Sequence, residues 1–76
     1  ANGQVGLMMN VPKNKLDEVM KILPKGKKPT IAELTDSNWV DLSVILEEKL
    51  VRDIAPDLKA IGVEDIVEYS INKIIH

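Results

Sequence analysis

Five polar residues stand at or near the ends of apolar runs and could converge on a small polar ligand: Asn10, Thr30, Asp41, Ser43 and Asp65. Together they offer an amide, two hydroxyls and two carboxylates, a set suited to hydrogen-bonding a metabolite. On residue chemistry alone, turn and edge contacts are the simpler account of them. No catalytic set accompanies them. The one histidine, His76, is the last residue and reads as a frayed end, and there is no cysteine. A Ser–His–Asp or Cys–His arrangement therefore lacks its base, and a zinc–thiolate site lacks its ligands. Asp17-Glu18 and Glu47-Glu48 are sequence neighbours, and neighbours on a helix do not face a common point, so both pairs read as solvated charge. Lys25-Gly26-Lys27-Lys28-Pro29 is basic but lacks the spaced glycines and Gly-Lys-Ser/Thr ending of a phosphate loop; it reads as a solvated turn. No residue is assigned a catalytic or metal-binding role.

The elements that must position these residues are legible in the apolar spacing. Gln4 to Val11 is a strand-length run ending at Pro12, apolar on both faces as in a central strand, with Asn10 polar at its carboxyl end. Pro12-Lys13-Asn14 opens a helix in which Leu16, Val19, Met20 and Leu23 form a core-facing stripe, closed by Pro24 and Gly26. Lys27 to Val40 organises the whole chain. It holds an arriving strand (Thr30 to Thr35), a polar turn at Asp36-Ser37-Asn38, and the start of a departing strand. From Trp39 to Leu46 the period is two: Val40, Leu42, Val44 and Leu46 share one face, Trp39, Asp41, Ser43 and Ile45 the other. Glu47 and Glu48 begin a second helix with the stripe Leu50, Val51, Ile54, Leu58 and Ile61. Pro56 inside that stripe predicts a kink near Arg52–Ala55 or two short helices. Gly62 stops it, Asp65 to Ile71 is a fourth strand, and Asn72 to His76 is a short apolar tail.

The order βαββαβ, with halves meeting at the Asp36–Asn38 turn, defines a ferredoxin-like α+β sandwich: a four-stranded antiparallel sheet with both helices on one face. Right-handed crossovers place the first and third strands in the centre. The other face, carrying Trp39 and Ile45, has no cover within the chain and is expected to meet another copy or another domain. Seventy-six residues make one domain, 1–76, which buries only about 60% of its unfolded surface and gains from docking or oligomerising. A net charge of −2 with one tryptophan, one tyrosine and no phenylalanine gives no footprint for nucleic acid. No apolar run approaches membrane-spanning length and no leader is visible, so a cytoplasmic chain is expected. The initial alanine suggests a processed chain or a fragment of a longer one.

A series of short motifs runs in order through the chain. They are Leu7-Met8-Met9-Asn10-Val11-Pro12, Lys15-Leu16-Asp17-Glu18-Val19, Lys28-Pro29-Thr30-Ile31, Asn38-Trp39-Val40, Leu58-Lys59-Ala60-Ile61-Gly62, and Asp65-Ile66 with Ile71 and Lys73. Together they resemble the C-terminal regulatory domain of long-form ATP phosphoribosyltransferases, the first enzymes of histidine biosynthesis. The resemblance implies a ferredoxin-like domain akin to PII and ACT sensors, following a catalytic region that uses magnesium and is not contained in this chain. No cofactor is implied for the domain itself. It implies L-histidine as allosteric feedback inhibitor, contact with the catalytic domains of the same parent chain, and trimeric packing of this domain within a homo-oligomeric hexamer. By position it assigns Asn10, Thr30, Ile45 and Asp65 to the effector site. Asn10 stands where some relatives carry an acid, Glu33 and Glu47 replace common prolines, and Pro56 interrupts a normally smooth helix. The rival expectation is a stand-alone ferredoxin-like trimerisation module or small-metabolite sensor unconnected with histidine.

Overall fold

The computed structural model describes residues 3–71. Its elements are β1 (Gln4–Pro12), a 3-10 turn (Lys13–Lys15), α1 (Leu16–Ile22), β2 (Thr30–Glu33), β3 (Trp39–Glu47), α2 (Glu48–Ala60) and β4 (Glu64–Ser70). The strands form one sheet in the order β2-β3-β1-β4 with every neighbouring pair antiparallel. This is the expected ferredoxin-like arrangement, with the two longest strands at its centre.

Cross-strand pairing follows the sequence pattern. Val5, Leu7, Met9 and Val11 of β1 lie opposite Leu46, Val44, Leu42 and Val40 of β3, and all eight are buried. Val19, Leu23, Val51, Ile54, Leu58 and Val63 complete the core from the helical side. The edge strands contribute little: every residue of β2 is exposed, and in β4 only Ile66 is half-buried.

Met20 departs from its expected place in the core, being 39% exposed. The helix α1 is only seven residues long and Leu23 already leaves it in extended conformation. Ile22 packs against the core instead, which rotates the buried arc away from Met20. Around Pro56 the structure has one helix, Glu48–Ala60, not two short ones. The proline removes a bond to the carbonyl of Arg52, and both residues are exposed, so water can satisfy that carbonyl. At the amino end of α2, the Glu48 N–H donates to the Gly3 carbonyl. At its carboxyl end, Gly62 adopts φ 104°. Its N–H bonds the Lys59 carbonyl at 3.1 Å, while the Val63 N–H bonds that of Leu58 at 3.1 Å. These paired bonds form a Schellman stop, with buried Val63 and Leu58 in its hydrophobic contact.

The strand β4 carries an irregularity that the sequence pattern did not announce. Val5, Gly6, Leu7 and Met8 pair with Ser70, Tyr69, Glu68 and Val67, but Asn10 pairs with Glu64. Asp65 and Ile66 thus share the place opposite Met9, a β-bulge. Asp65 takes φ 54°, a left-handed conformation that aspartate tolerates better than most residues. His76, Asn72 and Lys73 lie outside the described residues.

Candidate functional site

The sheet face turned away from the helices carries three successive cross-strand rows, each about 6.6 Å from the next along the strands. The first row is Ile45, Gly6 and Tyr69; the second is Thr30, Ser43, Met8 and Val67; the third is Ala32, Asp41 and Asn10, paired with Glu64. Trp39 follows beyond Asp41 on the same side, half-buried. Met8, Ile45, Val67 and Tyr69 are exposed, so the face mixes apolar and polar side chains.

A cleft of about 330 Å³ opens on this face between the first two rows, lined by Lys27, Lys28, Thr30, Ser43, Val44, Ile45 and Tyr69. The antiparallel pairing of β2 and β3 sets Thr30 directly across from Ser43, so two hydroxyl-bearing residues are neighbours in a cleft that two lysines also line. The cleft therefore has hydroxyl and ammonium donors on one side and an aliphatic and an aromatic wall on the other. That composition suits the carboxylate of a small molecule together with an apolar portion.

In the third row the Asn10 amide Nδ2 donates to Asp65 Oδ2 at 2.9 Å. The bulge makes this contact possible by bringing Asp65 toward β1. Asp41 lies across from Asn10 on β3 and is half-buried, and Glu64 pairs with Asn10 on β4, giving the row three carboxylates around one amide. Such a row attracts an ammonium group.

Of the four residues assigned to the site, Thr30 and Ile45 line the cleft, whereas Asn10 and Asp65 bond each other in the adjoining row. Ser43, named with Thr30 among the candidate polar residues, lines the same cleft, whereas sequence reasoning missed Lys27, Lys28 and Tyr69 as parts of it. The basic turn holding both lysines reads as solvated because nothing local shows that it overhangs a sheet. Glu33 lies apart from this face, with its carboxylate 3.2 Å from Lys13. A second hollow of about 410 Å³, near the start of α2, is lined by Gln4, Pro24, Lys27, Glu47, Lys49, Leu50 and Asp53. It holds none of the four. Among the described residues, no group of three or more His, Cys, Asp or Glu side chains gathers as a metal site, and no helix is long and apolar enough to cross a membrane.

Fold and cleft together define a small α+β domain with helices over one sheet face and a polar cleft on the other. Residues 1–73 match the family described as HisG, C-terminal domain, and the chain belongs to it. Over 75 residues it is 52% identical to the ATP phosphoribosyltransferases of Pelotomaculum thermopropionicum, Chlorobium chlorochromatii and Geotalea daltonii. The match covers 99% of this chain and 26% of each relative, so the chain spans about a quarter of their length.

Proposed function

We propose that this chain is the effector-binding regulatory domain of an ATP phosphoribosyltransferase in histidine biosynthesis, with L-histidine as its ligand. The observation that carries the reading is the succession of the three rows on one open face. Thr30, Ser43, Lys27 and Lys28 receive the ligand's carboxylate. Its ammonium group faces Asp41, Asn10 and Asp65, and its side chain lies toward Ile45. An α-amino acid has these three groups on one carbon, within reach of adjacent rows. Asn10 contributes a hydrogen bond but no charge, so the carboxylates of Asp41 and Asp65 supply the attraction for the ammonium group.

The exposed Met8, Ile45 and Val67 on the same face support packing between copies, trimeric for this domain and hexameric for the parent enzyme. In this reading the parent is cytoplasmic and magnesium serves its catalytic region. Bound L-histidine shifts the assembly only by its difference in affinity for two arrangements. Isothermal titration of the chain with L-histidine tests the proposal. Saturable heat with a matching rise in melting temperature supports it; no heat and no thermal shift at millimolar ligand overturn it. Light scattering of the parent enzyme tests the association, which a strict monomer at all concentrations would refute.

A further inference from the structure

Gly6 and Tyr69 are paired across β1 and β4, and Gly6 is paired in turn with Ile45 on β3. A β-carbon on Gly6 would fall within the tyrosine ring, against its Cζ and both Cε atoms. Gly6 is not among the left-handed glycines, which are Gly3, Gly26 and Gly62. Its missing side chain therefore provides space and not backbone freedom. The ring fills that space and covers Gly6, which is buried although it lies on the open face. In this way a side chain from edge strand β4 crosses β1 and forms a wall of a cleft otherwise built by β2, β3 and the turn before β2. The ring stays 42% exposed, and it is the one aromatic group at the cleft.

We infer that Tyr69, seated on Gly6, is the specificity-determining residue of this cleft and takes the flat ring of the ligand against its own. The inference rests on the effector-site reading above and adds to it the reason for selecting a ring-bearing amino acid. Ile45 offers such a ligand only buried area, which an aliphatic side chain fills equally well. Two aromatic rings gain a further geometric attraction that an aliphatic side chain does not share.

Because Tyr69 is the only tyrosine and phenylalanine is absent, its ring signals are unambiguous in isotope-edited NMR. L-histidine is expected to shift those signals, and L-leucine, of similar size but without a ring, to shift them less. The preference for L-histidine over L-leucine, measured by competition, should fall about three- to tenfold in Tyr69→Leu and be retained in Tyr69→Phe. Gly6→Ala, which displaces the ring without touching a polar group of the cleft, should follow Tyr69→Leu. If Gly6→Ala does not fold, the Leu and Phe variants still decide the matter. An unchanged preference in Tyr69→Leu, or an equal loss for both ligands, overturns the inference while leaving the effector site standing. Absence of L-histidine binding to the unaltered chain overturns the site itself, before any variant is made.

Discussion

Alternate residues of β3 serve two different environments. Val40, Leu42, Val44 and Leu46 lie under the helices and are at most 6% exposed, whereas Ile45 on the opposite side is 40% exposed. One face is closed by its own chain and is uniformly aliphatic. The other has no cover from the described residues and mixes a tryptophan, an aspartate, a serine and an isoleucine. The contrast separates a packed face from an open one along a single strand. Residues that hold the domain together are apolar and interchangeable within limits of volume, and those on the open face differ in kind from one position to the next.

Substitution can test how complete this division is. The largest effect is expected at Leu42, which is 0% exposed. Leu42→Ala should lower unfolding stability by about 2–5 kcal/mol, read as a shifted urea midpoint with unchanged slope. A cost below that range would mean that the covered face is not the main source of stability. Next comes Gly62, which holds α2 over the sheet through its stop at φ 104°. Gly62→Ala should cost about 1–2 kcal/mol, the penalty of a left-handed conformation for a residue with a β-carbon. Ile45→Ala sits three residues from Leu42 and should change stability by about 0.5 kcal/mol or less. Equal losses at Ile45 and Leu42 would erase the distinction between the faces. The smallest change belongs to Glu33, whose contact with Lys13 joins side chains 74% and 46% exposed. Glu33→Gln should cost less than about 0.5 kcal/mol, and the difference should vanish at high salt.

Much of the covered face was legible because burial imposes a period on the sequence. Period two gave the facing of β1 and β3, and glycine at the end of a helical stripe gave the stop at Gly62. Met20 was misplaced because spacing defines a stripe but not where a seven-residue helix begins and ends over its sheet. The open face was legible only in part. Thr30 and Ile45 share a cleft, but the Asn10–Asp65 bond spans 55 positions and depends on a bulge with no period of its own. The Tyr69 ring on Gly6 was equally hidden, since a glycine in a strand does not say which side chain will occupy its space.

The bulge at Asp65 also governs how β4 would respond to a change in length. Losing Asp65 would let the ladder close regularly, with Ile66 against Met9 and Val67 and Tyr69 still opposite Met8 and Gly6, as they are now. The ladder would forfeit only the contact with Asn10, while the proposed site would lose one of the carboxylates that face the ligand's ammonium group. Losing one residue between Val67 and Tyr69 has no such slack: the strand would change phase, and Tyr69 would turn from the cleft to the helices. Tolerance to deletion is thus concentrated at one position, where the strand already carries one residue more than its partner needs.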